Sequence, residues 1–110
     1  MRTRIMNLFV GFFLLGTLTL FGQDTKNEKF KVYGNCGMCE TRIEKAAMNV
    51  DGVTSADWNK ETKMIEVSFN AEKVKPEDIH KAIAKVGHDT EKVKADDEVY
   101  GSLPGCCKYR

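Results

Sequence analysis

Residues 30–47, FKVYGNCGMCETRIEKAA, decide the fold, because they change from a strand pattern to a helix pattern across one cysteine-bearing loop. Phe30 and Val32 flank a lysine, which indicates a strand with two apolar side chains on one side. Gly34 breaks that pattern. Beyond the second cysteine, residues 40–50 predict a helix because their apolar side chains recur at helical spacing, as Ile43, Ala46, Ala47 and Val50.

Downstream, the sequence predicts two strands, a second helix and a last strand. Residues 53–58 are rich in β-forming residues, and residues 65–69 alternate between apolar and polar side chains. Pro76 suits the first position of a helix. The apolar stripe of that helix is Ile79, Ala82, Ile83 and Val86. Residues 91–95 predict a short final strand around Val93.

The predicted element order is therefore β-α-β-β-α-β. Each helix has a single apolar stripe, so the two helices must cover the same apolar face of a sheet to form one core. We expect an α+β fold of the ferredoxin-like type, a sandwich in which two helices pack on one face of an antiparallel four-stranded sheet.

The first residues have the layout of a secretory signal peptide. Arg2 and Arg4 supply a positive start, residues 8–21 are almost wholly apolar, and the small residue Gly22 precedes a polar stretch. We expect cleavage after Gly22 and export to the periplasm or the medium. The alternative is an N-terminal membrane anchor, since the charge-free stretch 5–23 approaches the ~20 residues that a spanning helix needs.

These patterns divide the chain into four parts. Residues 1–22 are the predicted signal peptide and residues 23–27 a polar linker. Residues 28–95 form the predicted domain. Residues 96–110 are a C-terminal tail that carries the adjacent pair Cys106 and Cys107.

Composition and charge exclude several classes of function. The net charge is +1, and 30% of the 110 residues are charged. Without a basic excess to neutralise phosphates, we expect no nucleic-acid partner. The sequence contains no evident Ser-His-Asp arrangement, paired-carboxylate site or Gly-rich phosphate loop, so we do not expect an enzyme.

The cysteine loop carries the predicted chemistry. Cys36 and Cys39 are spaced so that one thiol lies on the loop and the other in the first helical turn, where both can face one ion. Soft monovalent ions prefer thiolate ligands. The helix N-terminus lowers thiol pKa values and offsets the negative charge of two thiolates. Gly37 lets the loop fold tightly.

Placed between the first strand and first helix of this element order, the Cys-x-x-Cys motif resembles the heavy-metal-associated family. That family includes copper chaperones, modules of copper-transporting P-type ATPases and the periplasmic mercury-binding protein. The resemblance extends to Gly52-Val53, the strand of residues 65–69 and Gly87. It implies that Cys36 and Cys39 are the metal ligands. The implied cargo is copper(I), and the implied partner is a metal-transporting membrane protein or another metal acceptor.

The chain departs from the family pattern in one respect. Family members usually have a methionine before the first cysteine, packed under the loop, whereas this chain has Met38 between its two cysteines. Two interpretations follow for Met38. It props the loop as an apolar side chain, which is the favoured one, or it adds a weak thioether contact to the metal.

Three other residues are candidates for accessory ligands. His88 lies in the loop before the last predicted strand, where it is either an exposed loop residue, the favoured interpretation, or a third ligand. Cys106 and Cys107 belong to a flexible or disulfide-linked tail, or they bind metal, by folding back onto the site or by binding a second ion. His80 is placed on the polar flank of the second helix and has no predicted role.

Other functions and metals remain open from the sequence. Mercury(II) also favours two thiolates and would use the same site. Structural zinc(II) would need all four cysteines, with the tail reaching the cysteine loop. A thiol–disulfide oxidoreductase fits the motif and export. It does not fit the element order. A thioredoxin-like domain also has a proline opposite its active cysteines, whereas a helix start and a turn explain the two prolines here, Pro76 and Pro104.

Overall fold

The computed structural model describes residues 25–110, so the predicted signal peptide and its cleavage position lie outside the described residues. The strands are β1 (Thr25–Lys31), β2 (Val53–Trp58) and β3 (Met64–Asn70). The helices are α1 (Gly37–Met48), α2 (Pro76–Lys85) and the short α3 (Asp97–Gly101), followed by a 3-10 turn (Gly105–Cys107). In this part of the chain no helix is both long enough and apolar enough to cross a bilayer.

The sheet is antiparallel with the strand order β1-β3-β2. The central strand β3 places Ile65 opposite both Phe30 of β1 and Trp58 of β2. Side chains from the sheet and from both helices form one core, which includes Phe30, Trp58, Ile65, Val67, Phe69, Ile43, Ala47, Ile79 and Ile83. This is the ferredoxin-like arrangement that the sequence predicts, with three strands in place of four.

The predicted last strand at residues 91–95 is absent from residues 25–110. Only Thr90 forms a bridge to the first-strand edge, opposite Val32. The Thr90 hydroxyl then accepts hydrogen bonds from the amides of Lys92 and Val93, at 3.2 and 3.0 Å, and this turn carries the chain away from the sheet. The Glu91 carboxylate in turn accepts from the Lys31 amide at 2.8 Å, where a strand carbonyl would otherwise pair. The β-forming signal of Val93 is therefore overridden by side-chain hydrogen bonds.

Two predicted boundaries also differ. Strand β1 begins at Thr25 and pairs residue by residue with β3, so residues 25–27 are part of the sheet and not a linker. Helix α1 begins at Gly37, three residues before the predicted start, and ends at Met48. Gly52 follows with a φ of +104°, the left-handed conformation expected of the glycine after this helix.

The C-terminal tail packs against the domain. Leu103 is buried and lies against Gly87, whose φ of +108° suits glycine and where a Cβ would come within 2.9 Å of Leu103 Cδ2. Cys107 is fully buried. The last residue, Arg110, forms ion pairs with Asp89 at 2.9 Å and with Asp97 at 2.8 Å. Of the alternatives left open for the tail, the structure favours one that is packed against the domain.

Candidate metal centre

The Cys-x-x-Cys loop places its two thiols side by side at the start of α1. Cys36 is the N-cap residue with an extended backbone, and Cys39 lies in the first helical turn. Their Sγ atoms are 3.4 Å apart. Cys39 is fully buried, whereas Cys36 is partly exposed. One thiol is therefore fixed by the core and the other can be reached from solvent.

The loop is supported from below by the core and not by methionine. A Cβ on Gly34 would lie 3.1 Å from Cys39 Cβ and 3.2 Å from Trp58 Cη2, so the chain passes closely over both side chains. Met38 is 53% exposed and lines an open pocket with Arg42 and other residues of α1. The interpretation of Met38 as a prop under the loop is wrong.

The tail brings two further thiols to the loop. Cys106 Sγ lies 3.2 Å from Cys36 Sγ, and Cys107 Sγ lies 3.7 Å from the same atom. All four cysteines are free thiols, with Cys106 exposed and Cys107 buried. The loop and the tail therefore form a single cluster of four sulfur atoms.

Polar contacts fix the tail in this position. The Asn35 side-chain amide donates to the Lys108 carbonyl at 2.7 Å. The Tyr109 hydroxyl donates to the Gly87 carbonyl at 2.6 Å and accepts from the Asp89 amide at 2.7 Å. Burial raises the pKa of Tyr109 to about 12, so its hydroxyl stays protonated and able to donate. These bonds hold the tail against the cysteine loop and the loop after α2.

His88 is fully buried beside the thiols, so its interpretation as an exposed loop residue is wrong. Its Nδ1 atom lies 2.7 Å from the Tyr33 carbonyl oxygen. Because a carbonyl can only accept, Nδ1 carries the proton and Nε2 carries the lone pair. Burial lowers the pKa of His88 and so favours the neutral ring, and this effect outweighs the hydrogen bond to the Tyr33 carbonyl, which raises the pKa. Nε2 has no hydrogen-bond partner in the described chain.

His80 is also buried, against the prediction that it lies on a polar helix flank. Its ring stacks on Phe30 with centroids 3.8 Å apart, and Nδ1 is 2.6 Å from the Thr90 hydroxyl. Both contacts belong to the core. They explain this histidine without a metal.

Hydrogen bonds within the cluster favour a thiolate at Cys36. Hydrogen bonds from the Cys106 thiol and the Cys39 amide lower the pKa of Cys36 to about 6. Burial raises the pKa of Cys107, and the neighbouring sulfurs of Cys39 and Cys36 add to that increase. The Arg42 guanidinium is 3.7 Å from Cys107 Sγ and places a positive charge beside it. The cluster thus combines a reactive outer thiol with protected inner ones.

The donor atoms fall into two overlapping groups, each with all its atoms within 4.8 Å of one another. The outer group is Cys36, Cys106 and Cys107, and the inner group is Cys39, Cys107 and His88. Thiolate and imidazole donors of this kind suit soft or borderline metal ions. The heavy-metal-associated domain model matches residues 31–89, more than half of the chain.

The chain belongs to the heavy-metal-associated domain family. As a member with a Cys-x-x-Cys loop, it is a copper-chaperone-like metal-binding protein. Copper chaperone CopZ of Staphylococcus aureus is 40% identical over 55 residues, which are 50% of this chain and 81% of CopZ.

Solved structures of the family share the fold. Oxidized MerP from Ralstonia metallidurans CH34 is 29% identical with a TM-score of 0.58, over 61% of this chain and 94% of MerP. A copper binding domain from HMA7, a P-type ATPase, is 32% identical with a TM-score of 0.58, over 64% of this chain and 96% of that domain. The matches confirm the ferredoxin-like fold of this heavy-metal-associated protein.

The five clustered donors are candidates from the sequence alone, whereas two residues that organise them are not. Arg42 faces Cys107, and Tyr109 ties the tail to Gly87. Position 42 is an ordinary charged helix position in the sequence, so nothing marks it. The tail gave a partial signal, because an even number of cysteines with an adjacent pair beyond the domain is consistent with a shared site.

Proposed function

We propose that this protein is an exported carrier of a soft metal ion, with copper(I) bound by Cys36 and Cys39. The observation that carries the proposal is the pair of Sγ atoms 3.4 Å apart at the N-terminus of α1. A small movement of either side chain would let both sulfurs face one ion. The helix N-terminus offsets the charge of the two thiolates.

Copper(I) fits this site best because its preferred ligands are thiolates and because two of them are enough to hold it. Mercury(II) is the alternative in the same pair of sulfurs, and the similarity to MerP favours it as second choice. Zinc(II) is the third candidate, since the outer and inner sulfurs together offer the four thiolates of a tetrahedral site. The fold is not that of a thioredoxin-like oxidoreductase, which speaks against a redox enzyme.

The geometry suits transfer by ligand exchange. Cys36 is partly exposed and has a pKa of about 6, so it is a thiolate at neutral pH. An incoming thiolate from a partner can bind the ion there while Cys39 still holds it. Cys39 then releases the ion last. The similarity to a copper binding domain of a P-type ATPase supports a metal-transporting membrane protein as the acceptor.

Export is the second part of the proposal. It rests on the positive start, apolar run and small residue that end at Gly22. Intact-mass analysis of protein recovered from the periplasm or medium tests it, and the expected N-terminus is Gln23. A full-length product in the membrane fraction would favour the N-terminal anchor.

Metal retention tests the choice of cargo. The reduced protein is offered copper(I), zinc(II) and mercury(II) in equal amounts without oxygen, dialysed and measured for metal content. We expect copper or mercury to be retained over zinc, and Cys36→Ser or Cys39→Ser to lose it. Met48→Leu is the matched control, because Met48 is an exposed methionine of α1 that lies outside the cysteine cluster. Retention of zinc alone would contradict the proposed cargo.

A further inference from the structure

The inner group of donors has a feature that the Cys-x-x-Cys pair does not need. Cys39, Cys107 and His88 are all fully buried, and their donor atoms lie within 4.8 Å of one another. His88 comes from the loop after α2 and Cys107 from the tail. Three parts of the chain thus bring three donor atoms together in the interior.

His88 is prepared as a ligand in this space. The Nδ1–H group of His88 donates a hydrogen bond to the Tyr33 carbonyl, with 2.7 Å between Nδ1 and the oxygen, which leaves the Nε2 lone pair free. Metal-binding histidines characteristically donate their other ring nitrogen to a carbonyl or carboxylate in this way. Nε2 is the single buried side-chain polar atom among residues 25–110 that lacks a hydrogen-bond partner. Leaving such an atom unpaired is costly, and coordination of a cation would remove that cost.

The thiols of Cys39 and Cys107 supply the other two donor atoms of the inner group. Cys107 Sγ is 3.7 Å from both Cys36 Sγ and Arg42 Nη1, so it lies between the outer thiols and a positive charge. A thiolate formed there is stabilised by the guanidinium. Its sulfur belongs to both groups of donors and can bridge two ions.

We propose that Cys39, Cys107 and His88 Nε2 form a second, buried position for a soft d¹⁰ cation such as copper(I). This inference rests on the proposed function, since it adds an ion to the one held at Cys36 and Cys39. Binding deprotonates the Cys107 thiol, whose proton passes to solvent. Two sulfurs and one nitrogen then give the cation three ligands. The first ion keeps Cys36 and Cys39, so that the Cys39 sulfur is shared between the two ions, and Cys106 lies beside Cys36.

Anaerobic titration of the purified full chain with copper(I), against a chromophoric copper(I) chelator, tests the second position. We expect two ions for the unmodified protein and one for His88→Leu or Cys107→Ser. His80→Leu is the matched control, because His80 is as deeply buried but lies among core residues. That variant should still bind two ions. Circular dichroism on each variant checks that it is folded.

A spectroscopic measurement on the unmodified protein keeps the test independent of folding. The ¹⁵N resonance of His88 Nε2 should shift upfield, away from that of an unprotonated ring nitrogen, on addition of the second equivalent of copper(I), while His80 is unchanged. One ion per chain, or an unmoved His88 resonance at two equivalents, overturns the second position and leaves the first intact. No copper(I) binding by any form would instead contradict the proposed function itself.

Discussion

Cys36 and Cys106 are 70 positions apart in the chain, yet their Sγ atoms lie 3.2 Å apart. The family domain ends well before Cys106, since its model matches residues 31–89. The contact therefore joins a motif of the family to a segment outside it. It also gives Cys36 a thiol neighbour that stabilises its thiolate. The reactivity of Cys36 should depend on this contact.

Alkylation of the reduced, metal-free protein should begin at Cys36. With a pKa of about 6, roughly nine-tenths of this thiol is thiolate at pH 7. Cys107 should react last, because it is buried and burial raises its pKa. Peptide mass spectrometry over an iodoacetamide time course measures the order. The rate at Cys36 should rise from pH 5 and level off above pH 7.

Cys106→Ala provides the control for that order. It removes the hydrogen-bond donor that contributes most to the lowered pKa of Cys36. The alkylation rate at Cys36 should then rise at a higher pH than in the unmodified protein. Equal profiles for the two proteins would show that the contact between Cys36 and Cys106 has no such effect in solution.

Tyr109→Phe should loosen the tail. It removes a hydroxyl that bonds the Gly87 carbonyl and the Asp89 amide, which leaves both without that partner. We expect a loss of about 1–3 kcal/mol in the free energy of unfolding. Urea denaturation measures the loss, and alkylation of Cys107 should become faster.

Tyr33→Phe is the matched control for Tyr109→Phe. Tyr33 stacks near Tyr109 but is 38% exposed, and its hydroxyl forms no hydrogen bond within residues 25–110. This substitution should change stability by no more than about 0.5 kcal/mol, as surface substitutions usually do. Equal effects from the two variants would mean that the Tyr109 hydroxyl does not hold the tail.

Leu103→Ala should destabilise the protein by about 2–5 kcal/mol, because it empties a buried site against Gly87. Gly87→Ala should also destabilise it, through its φ of +108° and a contact of 2.9 Å with Leu103 Cδ2. In a double-mutant cycle the second change should cost less once Leu103 is alanine, since only the backbone strain remains. Gly101→Ala is the control, because a Cβ there meets nothing within 4 Å. Additive costs would argue against the contact.

Truncation after Ala95 should leave a folded domain of lower stability that binds one copper(I) ion through Cys36 and Cys39. The HMA7 domain matches only 64% of this chain, yet the match covers 96% of that domain, so the fold does not require the remainder. Circular dichroism with and without a chelator, together with metal stoichiometry, measures both properties. Unfolding on chelation would favour structural zinc, because structural zinc contributes folding energy directly.

The domain was predictable from the sequence because its signals are local. Alternation at residues 65–69, the proline at position 76 and the cysteine loop each determine the structure of their own segment. The prediction of a strand around Val93 was wrong, because the Thr90 hydroxyl accepts hydrogen bonds that stabilise a turn, and the pattern of apolar residues does not reveal this turn. Local periodicity cannot register a side chain that competes for backbone amides.

Only the part of the site that lies within one segment, the Cys-x-x-Cys loop, was predictable from the sequence. Cys36 and Cys39 follow from spacing, but their meeting with Cys106 and Cys107 depends on contacts such as that of Leu103 with Gly87. His88 likewise lies against the packed tail, where its ring stacks on Tyr109 with centroids 5.6 Å apart. Such contacts between distant segments are not visible in the hydrophobic periodicity of either segment. The sequence therefore left open whether the tail binds metal.

The most direct test of the account is the copper(I) affinity of the reduced protein and its Cys36→Ser and Cys39→Ser variants, measured in anaerobic competition with a copper(I) chelator. Both variants should remain folded by circular dichroism, because the core lies in the sheet and helices. The account predicts that each variant loses tight binding of the first ion, with a fall in affinity of more than a hundredfold. Affinities equal to that of the unmodified protein would contradict it.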